Sequence, residues 1–141
     1  MNKQFIIIGI IFLLLVVSLS GCSEKKIEII GDTDKVEMVT YNIEVLDKNM
    51  EKIGDSLNHG VQANFYRISG TVKNIAGFKL AETWVSARLH DRNDKFLDSR
   101  TYLIPSLEIN ENANFTFMFV YSPDYFEKIW NLYFVFVALR G

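Results

Sequence analysis

Few side chains in this sequence could do chemistry. It holds two histidines, His59 and His90, and one cysteine, Cys22. His90 precedes Asp91, a pair that resembles a general base beside its orienting carboxylate. Neighbouring residues of a strand point to opposite faces, whereas a triad needs nucleophile, base and orienter within hydrogen-bond reach. No serine sits in a sharp turn flanked by glycines, so no nucleophile is on offer. His59, beside Gly60 in a polar stretch, reads as a solvated loop residue. Asp91-Arg92-Asn93-Asp94 opens like a calcium loop, but an EF-hand needs a glycine at position six and a glutamate at twelve. Those positions are Phe96 and Tyr102, and position five is Lys95, so the segment reads as a tight turn. Asn114-Phe115-Thr116 has the form of a glycosylation acceptor, but Phe115 falls inside a strand pattern. No glycine loop is built to cradle phosphate. These residues call for no catalysis, no cofactor and no metal. A binding role has one better candidate. Trp84 and Arg88 share a strand parity opposite the apolar Val85, Ala87 and Leu89, and both types are enriched at interface hot spots. The competing reading has a loop or helix near Trp130 cover the indole, or Arg88 stack on it.

The remaining reactive group is the Cys22 thiol, and its setting is specific. After Lys3 come thirteen residues without a polar side chain, Phe5 to Val17, then Ser18-Leu19-Ser20-Gly21-Cys22. A basic tip, an apolar run and a small-residue cleavage site make a secretory signal. Leu19-Ser20-Gly21-Cys22 resembles the lipobox of prokaryotic lipoprotein signals at all four positions. The resemblance implies that residues 1–21 are a signal peptide and that Cys22 takes a diacylglyceryl group on sulfur, becoming the first mature residue. Two acyl chains anchor stably where one is marginal, at about 0.8 kcal/mol per buried CH₂. The alternative is an uncleaved helix from Gln4 to Ser23, close to the roughly 20 apolar residues a span needs. Both readings place the rest of the chain at the cell membrane, facing outside the cytoplasm, with the lipid bilayer as its first partner.

Removing residues 1–21 from the 141 leaves 120, a normal size for one domain. The chain carries a net charge of −2, and loss of Lys3 makes it −3. Without a basic excess, nucleic acid is not an expected partner. With Cys22 lipidated there is no disulfide, so the domain must rely on its core, to which the aromatic residues contribute large buried areas.

Residues 22–34 are charged and short of apolar residues, and read as a lipid-anchored tether. From Lys35 the pattern has period two, the mark of half-buried strands. Val39, Tyr41, Ile43 and Val45 alternate with polar residues, while Val36 and Met38 have the opposite parity, which predicts a bulge at Met38-Val39. Asp47 to Gly60 reads as a long loop. Strands follow over 63–73, with Tyr66, Ile68, Gly70 and Val72 on one face, and over 81–90, with Thr83, Val85, Ala87 and Leu89 inward. Further strands run over 95–104, around Phe115, Phe117 and Phe119, and over 132–139, which is apolar at both parities, as in a strand buried on both sides. Ser122-Pro123-Asp124 starts a helix of about two turns. Its expected task, over Pro123–Trp130, is to cover Leu132, Phe134 and Phe136 in part.

Strands separated by turn signals predict an all-β protein, an antiparallel β-sandwich of immunoglobulin-like type with one short helix before the last strand. Ile68-Ser69-Gly70-Thr71-Val72-Lys73-Asn74, Val85-Ser86-Ala87-Arg88-Leu89-His90-Asp91 and Phe115-Thr116-Phe117 carry a resemblance to the FxLYD family of immunoglobulin-like domains of prokaryotic envelope proteins. Two positions depart from that pattern: His90 stands for the family's tyrosine, and Asp94 for its usual turn glycine. The resemblance assigns residues 35–141 to a sandwich domain outside the cytoplasm and implies no catalytic residues. The expected function is a membrane-anchored, non-catalytic interaction module with an envelope protein as its partner. The alternative is a small-molecule-binding lipoprotein associated with a transporter, which would need a concave pocket.

Overall fold

The computed structural model describes residues 25–57 and 62–141. The elements are β1 (Lys26–Gly31), β2 (Val36–Leu46), β3 (Lys52–Gly54), β4 (Phe65–Asn74), β5 (Leu80–His90), β6 (Phe96–Ile104), β7 (Asn112–Val120), a helix α1 (Pro123–Phe126) and β8 (Asn131–Arg140). They form two four-stranded sheets, ordered β1-β8-β5-β6 and β3-β2-β4-β7. Every described strand pairing is antiparallel except β1 with β8. The fold is the expected all-β sandwich with one short helix before its last strand. Cys22 and His59 lie outside the described residues.

The core lies between the sheets and follows from strand alternation. Ile68 and Val72 of β4, Val85, Ala87 and Leu89 of β5, and Phe115, Phe117 and Phe119 of β7 are all buried. The register between β2 and β4 slips between Met38 and Thr40, where the parity change predicts a bulge. Gly70 sits beside that bulge, opposite Tyr41, on the inner face. A Cβ there would stand 2.4 Å from the Thr40 carbonyl oxygen and 2.6 Å from the Phe115 ring, so only glycine admits both. Downstream of the slip Ile43 and Val45 are buried, but Val39 and Tyr41 remain exposed.

Three expectations need correction. Residues 26–31 are not tether: they form β1, in parallel register with β8 from Lys26 opposite Asn131 to Gly31 opposite Phe136. The sandwich thus begins at Lys26 rather than Lys35. Two residues fix this contact. Gly31 has φ +93° and lies so close that a Cβ would meet the Phe136 carbonyl oxygen at 2.2 Å. Asp32 then prolongs the ladder: its N–H donates to the Phe136 carbonyl, and its carboxylate accepts from the Ala138 N–H, both at 2.8 Å. The second correction concerns 47–60, where β3 pairs back on β2 within the expected loop. The third concerns β8. Leu132, Phe134 and Phe136 are fully buried in the core, and Phe134 packs against Tyr41 and Phe115 of the opposite sheet. The helix is four residues long and plugs one end of the core by packing Phe126 against Tyr66. The outer face of β8 is only partly covered, with Val137 45% and Leu139 50% exposed.

The connections gather at two ends. One end holds the β4–β5 and β6–β7 connections, tied by Asn74. This fully buried amide donates to the carbonyls of Phe78 (2.9 Å) and Leu107 (3.0 Å) and accepts from the Ala76 N–H (2.8 Å). The other end holds the β5–β6 turn, the helix and Lys25, where the described chain enters.

Candidate contact surface on the outer face of the β1-β8-β5-β6 sheet

Trp84, Arg88 and His90 occupy alternate positions of β5 and therefore share the sheet's outer face. Their neighbours follow from register. Trp84 stands between Leu103 of β6 and Val137 of β8. Leu103 and Val137 are both exposed, and Trp84 is half-buried between them. Leu139, one outward position along β8, extends this apolar row toward the Asn74 end.

The structure separates Trp84 from Arg88. Four residues along a strand span about 13 Å, and Ser86 lies between them, its hydroxyl 2.9 Å from that of Thr101. Arg88 places its guanidinium over the Phe96 ring, 5.1 Å from the centroid. Arg88 thus does not stack on the indole. Trp130, at the opposite end of β5, donates its backbone N–H to the His90 carbonyl at 2.8 Å and does not cover Trp84 either. The expected single patch is two subsites: an apolar one around Trp84 and a polar one around Arg88.

The polar subsite is built on the β5–β6 turn. Asp91 Oδ1 accepts from the N–H groups of Asn93 and Lys95, both at 2.9 Å. That closes the turn and leaves Asp94 with φ +63°, a conformation that aspartate tolerates. His90 does not meet Asp91; its Nδ1 lies 2.9 Å from the Asp94 carbonyl oxygen and 3.5 Å from Asp94 Oδ1. A carbonyl oxygen only accepts, so Nδ1 carries the proton. The Tyr133 hydroxyl donates to Asp94 Oδ1 at 2.7 Å, and Asn131 Nδ2 donates to the same oxygen at 3.3 Å. Asn131 Oδ1 accepts from the Lys26 N–H at 3.1 Å, which fastens the first residue of β1 to this cluster. Lys26 pairs with Glu28 at 3.1 Å and stands over the Tyr133 ring. Sequence reasoning missed Lys26, Glu28, Asp94 and Tyr133 as a group. Their convergence depends on the parallel pairing of β1 with β8, which no local pattern encodes.

The electrostatics follow from these contacts. The Tyr133 hydrogen bond holds the Asp94 carboxyl below the usual carboxylate range, with a further contribution from His90. Burial, and then the same bond to Asp94, push the Tyr133 hydroxyl above its usual range. Lys26, Glu28, Ile30, Arg88, His90, Asp94 and Tyr133 surround an open depression of about 330 Å³. Its floor is a sheet face, so it does not enclose a ligand. Nothing in it places a nucleophile against His90, whose protonated nitrogen is committed to the turn. Among the described residues no three His, Cys, Asp or Glu side chains converge as a metal site, and no helix is long and apolar enough to cross a membrane.

No protein-family model matches the chain, and no curated protein matches it. Solved structures do. The C-terminal domain of wzt aligns at 13% identity over 61% of this chain and 51% of its own, with a TM-score of 0.43. A Bacteroides uniformis β-glucuronidase aligns at 14% identity over 76% of this chain, with a TM-score of 0.39. The CARDB domain of a Pyrococcus furiosus protein aligns at 14% identity over 73% of this chain and 90% of its own, with a TM-score of 0.30. The match spans about half of the wzt domain and 13% of the β-glucuronidase chain. Likeness at this level concerns fold and is not evidence of catalysis.

Proposed function

We propose that this protein is a lipoprotein anchored to the outside of the cell membrane through Cys22, with a sandwich domain that binds an envelope partner without catalysis. The observation that carries the reading is Leu19-Ser20-Gly21-Cys22 at the end of an uncharged apolar run. A second observation fits it: β1 begins at Lys26, so only three residues separate Cys22 from Lys26. Four Cα-to-Cα steps span at most about 14 Å. A lipid on Cys22 would hold the domain against the bilayer by the end that carries the β5–β6 turn. The contact surface would be the outer sheet face, with Trp84, flanked by Leu103 and Val137, as its apolar centre.

The open depression beside His90 has the size for a small ligand but not the enclosure, so the interaction reading is preferred to ligand delivery. The anchor is tested by metabolic labelling with a fatty acid. Wild type should incorporate label and shorten by its leader; Cys22→Ser should do neither. A Cys22→Ser chain that is processed and partitions like wild type would overturn the anchor.

A further inference from the structure

A sheet ends in two strands whose outward N–H and C=O groups lack a neighbour, and proteins blunt such edges with charge, bulges or brevity. This sandwich has four edges. β3 is three residues long and pairs only with Val45 and Leu46, so the rest of that edge is β2, which carries Glu37, Glu44 and the bulge at Met38–Thr40. β1 is six residues long and carries the Lys26–Glu28 ion pair. β6 carries the Asp98–Arg100 ion pair at 2.9 Å and a register slip against β5. β7 has none of these devices. Its nine residues, Asn112-Ala113-Asn114-Phe115-Thr116-Phe117-Met118-Phe119-Val120, include no charge, no proline and no glycine. They pair with β4 from Phe65 opposite Val120 to Lys73 opposite Asn112 without a slip. One portion is guarded: Arg100 reaches across from β6, its guanidinium 5.3 Å from the Phe119 ring centroid and within a 3.2 Å hydrogen bond of the Tyr121 hydroxyl. The stretch from Asn112 to Phe117 is left open. Its inward Phe115 and Phe117 are already buried, so what this edge lacks among the described residues is main-chain partners rather than apolar cover.

We infer that Asn112–Phe117 is a docking edge for an extended segment of another protein, which adds to β7 as an antiparallel fifth strand of the β3-β2-β4-β7 sheet. Main-chain hydrogen bonds supply affinity in this mode, and alternate side chains supply specificity. The open edge fits a segment with small or polar residues on its outward parity, continuing Asn112, Asn114 and Thr116. The direction of the partner rests on the anchor reading. β7 runs from the Asn74 end toward the end that carries Lys25, and hence toward the membrane, so the added strand runs away from it. The same geometry disfavours a second copy: antiparallel pairing of β7 with β7 would invert one molecule, while two molecules anchored in one membrane stand the same way up.

The test uses the full lipidated chain in phosphatidylglycerol–phosphatidylcholine vesicles. The probe is a fluorescent nine-residue peptide alternating threonine and valine, with lysines outside the paired stretch. A second form of the probe is N-methylated at every residue of the paired stretch, which removes the N–H donors of both its edges. Wild type should bind the first probe and not the second. Asn112→Lys/Thr116→Lys, which changes two exposed residues, should weaken binding at least about tenfold with an unchanged melting temperature. Equal binding by wild type and variant, equal binding of both probes, or no binding at millimolar peptide would overturn the inference. So would crosslinking of Thr116→Cys chains to one another within a vesicle, which would make the occupant a second copy. Flotation of the protein with the vesicles reports the anchor separately. If the protein does not float, the direction argument fails while peptide binding still decides the edge.

Discussion

Two polar clusters sit at opposite ends of the sandwich and do different work. At one end the buried amide of Asn74 meets only main-chain groups: it donates to Phe78 and Leu107 and accepts from Ala76. Both N–H donors are used and the oxygen accepts once, every partner is neutral, and the knot fixes the connections before β5 and β7. At the other end Asp94, His90, Tyr133, Lys26 and Glu28 are joined side chain to side chain, at the surface and with formal charge. A buried polar group without its partners costs free energy comparable to a lost hydrogen bond or more, whereas exposed ion pairs contribute little. The first cluster is thus a structural device. The second joins charged side chains around the buried Tyr133 ring, and it belongs to the surface proposed for contact.

The largest effect expected is at the knot. Asn74→Ala should cost roughly 2–4 kcal/mol, because it leaves the Phe78 and Leu107 carbonyls and the Ala76 N–H without the amide. Chemical denaturation measures this, and a loss below about 1 kcal/mol would erase the contrast between the clusters. Tyr133→Phe should cost about 1 kcal/mol, the net worth of one hydrogen bond, and should also change the pH dependence. The Asp94 carboxyl is held low in the folded state. Its contribution is therefore present above the unfolded carboxylate value and is lost as pH falls through the folded one. The Tyr133 hydroxyl is held high. Its contribution is present below the unfolded tyrosine value, near 10, and is lost as pH rises through the folded one. Tyr133→Phe should remove the Tyr133 share of the alkaline loss, leaving that of Tyr125, whose hydroxyl burial also holds high, and shrink the Asp94 share of the acid one, with Asn74→Ala leaving both slopes unchanged. The smallest effect on stability is expected at Trp84. Trp84→Ala should weaken partner binding by more than about 1 kcal/mol while shifting the fold less than Asn74→Ala does. A collapse of stability instead would make the indole part of the packing and move the contact surface elsewhere.

The alternation of Val85, Ala87 and Leu89, and of Phe115, Phe117 and Phe119, was legible because each strand buries one face and so writes its period into the sequence. The bulge at Met38-Val39 was legible as a change of parity. Strand β1 was not. Ile27 and Ile29 alternate with charged residues but lie on an edge, 39% and 38% exposed, and their pairing is with residues about a hundred positions away. Gly31-Asp32 was the available signal: a glycine where two backbones nearly touch, followed by a carboxylate that accepts from the adjacent strand. The site was legible to the same extent. The parity of Trp84, Arg88 and His90 was readable along β5. The row Val137–Trp84–Leu103 and the bond from Tyr133 to Asp94 depend on which strands flank β5, and that is tertiary information.

The parallel pairing of β1 with β8 also sets an order of events in time. β8 lies between β1 and β5 in its sheet and supplies Leu132, Phe134 and Phe136 to the core. Until residues 131–140 have left the ribosome, β1 has no strand to join, and β5 has only β6 beside it. Contacts so distant in sequence form slowly, because the loop must close before its contacts contribute. A nascent chain of this protein therefore cannot complete its sandwich early. The β3-β2-β4-β7 sheet, whose strands all precede β8, can pair before it, and the β1-β8-β5-β6 sheet closes over it last.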